Sequence, residues 1–219
     1  MKAVNLVLFD LDGTLADTAP DLAGAVNRML AARGREPLPL RELRPVASHG
    51  ARGLLGRAFG VAPADPEFEA LRQEFFREYE GALCVESSLF PAMDTALAEL
   101  ESRGVLWGIV TNKVARFTEP LVRALGLHER AACVVSGDTA ARPKPDPAPL
   151  LHALAATATA ADAALYVGDD LRDIQAGHAA GMRTVAVSYG YLGDGPHYAQ
   201  WGADHIIHSP SELLTLVQH

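Results

Sequence analysis

Lysine is scarce in this chain. Of 19 basic residues only Lys2, Lys113 and Lys144 are lysines, and arginine supplies the rest. An Ala- and Arg-rich composition accounts for part of that bias, yet it leaves each lysine position informative. Cysteine is equally sparse, and Cys84 and Cys133 lie far apart. That spacing matches neither a zinc site nor a disulfide framework, so both read as buried thiols in a reducing compartment. Positive charge is in deficit too, with 19 Lys+Arg against 27 Asp+Glu and a formal net charge of −8. A nucleic-acid partner is not expected, because broad phosphate-backbone binding needs a basic face. A small anionic substrate remains compatible with that charge. No run approaches the roughly 18 apolar residues of a membrane span. The apolar stretch 4–9 is too short for a secretory signal and ends in carboxylates. A cytoplasmic protein without a membrane partner is therefore expected.

What is present is an ordinary globular composition. The 219 residues, 49% hydrophobic and 21% charged, suit one domain or one domain with a sizeable insertion. Short, nearly continuous apolar runs at 4–9, 105–110, 132–136, 164–167 and 184–188 read as buried strands, with 205–208 as a sixth. Continuous apolarity, rather than strict alternation, is the pattern of a parallel sheet covered on both faces. Helical patterns over 93–103, 118–125, 148–156, 171–180 and 211–217 fall between or after these runs. The alternation predicts a doubly wound, Rossmann-like α/β sheet. Ligands of such sheets sit beyond the carboxyl ends of the strands.

One interval breaks the rhythm. Residues 16–88 contain no convincing strand, only amphipathic stretches at 20–33, 41–47, 51–59 and 67–83. The first has Asp17 or Thr18 as its N-cap, Pro20 in its opening turn and Gly34 after its end. Seventy residues are too many for a loop. They are expected to form a helical cap inserted into a core made of residues 1–15 and 89–219.

Chemistry concentrates after the strands. Asp10-Leu11-Asp12-Gly13-Thr14-Leu15 places two carboxylates at i and i+2 on a strand end, where both can approach one reacting centre. One can act as nucleophile while the other transfers a proton, although an Asp-Gly turn also simply closes many strands. With Phe9 in front, this heptapeptide resembles the first motif of the haloacid dehalogenase superfamily, most of whose members are phosphatases. Val110-Thr111-Asn112-Lys113 resembles its second motif, Arg142-Pro143-Lys144-Pro145-Asp146-Pro147 its third, and Val167-Gly168-Asp169-Asp170-Leu171-Arg172-Asp173 its fourth. All four occur in order, each following a predicted strand.

The resemblance implies that Asp10 is the nucleophile forming an aspartyl-phosphate and that Asp12 is the general acid and base. It implies that Lys144 neutralises the nucleophile and phosphate, and that Thr111 and the Asn112 backbone bind the phosphoryl group. Mg²⁺ would be held by Asp10, the Asp12 carbonyl and Asp169, hard oxygen ligands of the kind this ion requires. Asp170 and Asp173 remain open, one reaching the metal or its waters and the other capping the following helix. Asp12 argues against a dehalogenase, which has no leaving alkoxide to protonate. A cap without lysine excludes the Schiff-base phosphonate hydrolases. A sugar phosphomutase shares every motif and stays open, as does a phospho-accepting regulatory module of a different class.

For substrate choice, Ser48-His49-Gly50-Ala51-Arg52 resembles the cap loop of phosphoglycolate phosphatases. Arg52 could pair with a substrate carboxylate, assisted by His49. The stretches 107–113, 168–174, Tyr189-Gly190-Tyr191 and 201–204 resemble more closely the branch acting on N-acetylmuramic acid 6-phosphate in cell-wall recycling. A small carboxylate-bearing phosphate ester, that sugar or 2-phosphoglycolate, is the expected partner. Oligomeric state is not readable from the sequence.

Overall fold

The computed structural model describes residues 3–193 and 195–217. The first apolar run forms β1 (Leu6–Phe9), buried along its whole length. A tight turn carries the chain into the two-residue strand β2 (Ala16–Asp17). Four helices follow, α1 (Ala19–Ala31), α2 (Leu40–Leu43), α3 (Gly50–Phe59) and α4 (Phe68–Glu80), with a 3₁₀ turn over Arg44–His49 before α3. The chain returns through β3 (Ser88–Leu89). Strands and helices then alternate as α5 (Met93–Ser102), β4 (Leu106–Val110), α6 (Ala115–Ala124), β5 (Val134–Val135), α7 (Ala148–Ala156), β6 (Ala164–Gly168), α8 (Leu171–Ala179) and β7 (Arg183–Val187). Strand β8 (His205–Ile207) and helix α9 (Leu213–Leu216) complete the described chain.

The six expected strands form one sheet in the order β5-β4-β1-β6-β7-β8, and every pairing is parallel. From β1 the chain builds outward through β4 and β5, crosses back to β6, and builds the other way. The order therefore reverses at β1, and the crevice at its carboxyl end lies at the switch point where such sheets take ligands. Alternate residues of β1 serve opposite faces. Leu6 and Leu8 pack with Leu150, Ala153, Tyr166 and Ala176, whereas Val7 and Phe9 belong with Leu97, Leu100, Leu165 and Leu213. Burial on both faces explains the continuous apolar run.

Two departures from the sequence expectation have local causes. The interval 16–88 is bounded by strands after all, since β2 and β3 pair antiparallel as Ala16↔Leu89 and Asp17↔Ser88. A two-residue pairing across seventy residues leaves no periodic signal to read. Thr18 occupies the N-cap position of α1, yet its side chain makes no capping bond. The Tyr191 hydroxyl instead accepts the N–H groups of Thr18 and Ala19 at 2.6 and 2.8 Å. Leu22, Val26, Met29, Leu54, Leu55 and Phe75 give α1, α3 and α4 a shared apolar interior. Among the described residues, no helix is long and apolar enough to cross a membrane.

Candidate active site

Asp10 leaves the end of β1 with its N–H still donating to the Val167 carbonyl at 2.9 Å, so the sheet fixes its backbone. Gly13 turns the chain away at φ +86, where a Cβ would overlap the Asp169 carboxylate. Only glycine meets both demands. Lys144 reaches in from the β5–α7 connection. Its ammonium donates to the Val110 carbonyl at 3.0 Å, the Tyr166 hydroxyl at 2.7 Å and Asp173 Oδ1 at 2.7 Å. It also stands 2.9 Å from Asp10 Oδ1 as an ion pair. Asn112 clamps the Lys144 backbone, donating to its carbonyl at 3.0 Å and accepting its N–H at 2.9 Å. Neighbouring Thr111 is buried, and its hydroxyl accepts the Lys113 N–H at 3.1 Å.

Asp10, Asp169 and Asp173 bring carboxylate oxygens within 4.8 Å of one another. Asp169 accepts from the Thr14 hydroxyl at 3.1 Å, the Tyr191 N–H at 2.8 Å and the Ser48 hydroxyl at 3.3 Å. Burial pushes the Asp10 carboxyl up to about 6, with the Lys144 ammonium opposing and Asp173 adding to the rise. Burial likewise drives Asp169 well above the usual carboxylate range, reinforced by the charges of Asp10 and Asp173. Burial works against the Lys144 ammonium, but Asp10 and Asp173 outweigh it and keep the lysine charged. Three buried carboxylates against one ammonium leave an excess of negative charge that is costly in a low-dielectric interior. Hard oxygen donors and an excess of buried negative charge fit a divalent cation.

The sequence left Asp170 and Asp173 undivided, and the structure separates them. Asp170 caps α8 by accepting the Arg172 N–H at 2.9 Å, and its carboxylate takes both Arg172 Nε and Nη2 at 2.8 Å. Burial would raise Asp170, but this bidentate arginine outweighs it and holds the carboxyl low. Asp173 accepts the Asp170 N–H with one oxygen, while its other oxygen faces Lys144 within the acidic cluster. The Asp12 side chain stands apart from that cluster. It accepts from Lys113 Nζ at 2.9 and 3.1 Å and from the Thr18 hydroxyl. Burial disfavours the Lys113 ammonium, yet Asp12 and then Tyr79 outweigh it and raise its pKa.

These groups open onto a cavity of about 630 Å³. Asp10, Asp12, Lys144 and Asp173 lie at its floor, while the aromatic rings of α4, with Phe117 of α6, form a wall. His49 and Arg52 both reach the lining. Three contributors carried no readable role in the sequence. Tyr191 holds both Asp169 and the start of α1. Arg172 donates to the Ser48 carbonyl at 3.0 Å, joining α8 to the turn before α3. Tyr79 lies 1% exposed in the cavity wall with an unpartnered hydroxyl. Tyr191 left a trace in the Tyr-Gly-Tyr stretch after β7 and Arg172 in the fourth motif, but neither carried a role there.

Comparison with known proteins agrees with this geometry. The family model of haloacid dehalogenase-like hydrolases matches residues 7–187, and the chain belongs to that family. It is 44% identical to an N-acetylmuramic acid 6-phosphate phosphatase of Pseudomonas aeruginosa, covering 99% of this chain and 97% of that protein. It is also 44% identical to a phosphoglycolate phosphatase of Xanthomonas campestris pv. campestris, covering 97% and 96%. Among solved structures, a predicted phosphoglycolate phosphatase of Haemophilus somnus superposes with a TM-score of 0.86 at 29% identity over 100% of both chains.

Proposed function

We propose that this protein is a Mg²⁺-dependent phosphomonoesterase working through an aspartyl-phosphate on a small carboxylate-bearing phosphate ester. The observation that carries this reading is the pairing of two differently held carboxylates on one turn. Asp10 is buried in the acidic cluster against the Lys144 ammonium, and Asp12, two residues on, stands outside that cluster with Lys113 across both its oxygens. An Asp10 oxygen attacks phosphorus as the ester oxygen departs with a proton from Asp12. Asp12 then takes a proton from the water that attacks the aspartyl-phosphate, releasing inorganic phosphate and regenerating Asp10. Lys144 draws the phosphoryl oxygens toward Asp10, with Thr111 and backbone amides beside it. Fixed positive and dipolar groups of this kind supply most of the stabilisation in phosphoryl transfer. Mg²⁺, held by Asp10, Asp169 and the Asp12 carbonyl with Asp173 adjacent, supplies charge neutralisation when bound.

Residues 16–88 act as the cap, with β2 and β3 as its two ends and His49 and Arg52 toward the substrate. N-acetylmuramic acid 6-phosphate is the preferred candidate. A cavity of about 630 Å³ with an aromatic wall is generous for 2-phosphoglycolate and suits a sugar ring. Cys84 and Cys133 are free thiols, which supports a cytoplasmic setting. The test is a parallel kinetic comparison of N-acetylmuramic acid 6-phosphate, 2-phosphoglycolate and glucose 6-phosphate. One of the first two should reach a kcat/KM of at least about 10⁴ M⁻¹s⁻¹. If all three stay below about 10³ M⁻¹s⁻¹, under the usual enzymatic range, the substrate assignment is wrong.

A further inference from the structure

Lys113 is the lysine whose placement the proposed chemistry does not require. It follows Thr111 and Asn112 at the end of β4, and its ammonium lies across both oxygens of Asp12. On its other side is Tyr79 of α4, with the ring centroid 4.9 Å from Nζ. Tyr79 is fixed by stacking on Phe75 at 6.1 Å and by an edge contact with Phe117 at 5.4 Å. Its hydroxyl is nevertheless buried beside the Lys113 ammonium, with no well-aligned hydrogen bond and no acceptor for its own proton. A buried, unpaired hydroxyl costs on the order of 1–3 kcal/mol. Burial pushes the Tyr79 hydroxyl up to about 12, so it stays protonated as a donor. Lys113, Tyr79 and Asp12 all line the cavity.

A cation and a hydroxyl donor converging on one wall, next to the proton-transferring carboxylate, form a cradle for an anion. Lys113 at present satisfies itself on Asp12, and exchanging one carboxylate for another on the same ammonium leaves its charge pairing intact. Accepting a new partner would also give Tyr79 the acceptor it lacks. The phosphate end of a ligand is directed instead to Lys144 and the acidic cluster at the floor. Resting on the phosphatase reading above, we infer that Lys113 and Tyr79 form the subsite for the carboxylate of the substrate. Lys113 turns from Asp12 to that carboxylate, and Tyr79 donates to it. No covalent bond changes in this exchange. Asp12 retains its Thr18 hydrogen bond and is uncovered only when a carboxylate-bearing substrate is seated.

Two matched pairs of esters test this. N-acetylmuramic acid 6-phosphate and N-acetylglucosamine 6-phosphate differ in the lactyl ether that carries the carboxylate. In the second pair, 2-hydroxyethyl phosphate replaces the carboxylate of 2-phosphoglycolate with an alcohol. In whichever pair the native enzyme turns over faster, the carboxylate member should lead in kcat/KM by about tenfold or more, as expected of a charged hydrogen bond. Lys113→Met should collapse that ratio toward one, mostly through KM, and Lys113→Arg should restore most of it. Tyr79→Phe removes an unpaired hydroxyl and should not unfold the chain, yet it should lower the ratio about threefold to tenfold. Equal loss on both members in Lys113→Met, or an intact ratio in Tyr79→Phe, overturns the subsite. A native enzyme that hydrolyses p-nitrophenyl phosphate but shows no carboxylate preference also overturns it while sparing the phosphatase reading. No hydrolysis of any ester removes both.

Discussion

Lys144 is buried and Lys113 is partly buried, and both pair with a carboxylate of the same turn, but their surroundings differ. Each partner of Lys144 belongs to a sheet strand or to what immediately follows one: Val110, Tyr166, Asp173 and Asp10. Lys113 has one such partner, Asp12, and beyond it the ring of Tyr79 on α4. One lysine is held from several sides by groups at the carboxyl ends of the sheet strands, and the other bridges the first turn and α4. The difference separates the groups expected to serve any phosphate ester from those able to choose among esters.

The sharpest way to break this contrast is to remove the locked lysine. Lys144→Met strips the only ammonium from three crowded carboxylates. It should cost roughly 3–5 kcal/mol of stability, as for other broken buried pairs. Turnover should fall by at least about 10²-fold to 10³-fold on every ester alike, measured by chemical denaturation and phosphate release. Lys113→Met should instead discriminate between esters.

Asp169→Asn probes the charge excess of the floor. Burial and the neighbouring charges of Asp10 and Asp173 disfavour its ionised form, so the neutral amide should raise the thermal midpoint of the metal-free protein. For a chain of this size that is about 2–4 °C per kcal/mol. Calorimetric titration with Mg²⁺ should show binding in the native protein and its loss in the variant. A lower midpoint together with undiminished Mg²⁺ binding would contradict the assignment of the cluster.

A smaller effect concerns pH. The folded state holds the Asp10 carboxyl at about 6, above its ordinary value of 3.8, chiefly through burial. The folded protein therefore binds this proton more tightly than the unfolded chain does. The resulting stabilisation is complete below about 3.8 and is lost as pH rises through about 6. Without metal, the midpoint of Asp10→Asn should gain on that of the native protein across this window and level off above it. A pH-independent difference would show that burial does not govern this carboxyl.

The same contrast explains what could be read from the sequence. Asp10, Thr111, Lys144 and Asp169 follow strands or carry family motifs, and the switch-point topology brings such positions to one crevice, so order along the chain was enough to collect them. Strands β2 and β3 were missed because two residues carry no periodicity, and their partners lie some seventy residues apart in the chain. Tyr79 falls within the amphipathic stretch 67–83, and its ring is buried as that pattern implies. Only the tertiary packing of α4 shows that its hydroxyl is unpartnered and beside Lys113. The division of Asp170 from Asp173 likewise depended on the Lys144 ammonium reaching Asp173 from the β5–α7 connection, a tertiary placement that local pattern does not carry.

The account stands on Asp10 as the group that takes the phosphoryl. Phosphate release from N-acetylmuramic acid 6-phosphate and 2-phosphoglycolate, with Mg²⁺ and then with chelator, should be measured for the native enzyme and for Asp10→Asn. Continuous Mg²⁺-dependent release by the native enzyme, abolished in Asp10→Asn while the variant remains folded, is the predicted result. Undiminished release by Asp10→Asn, or a long-lived phosphoprotein with no turnover in the native chain, would contradict it.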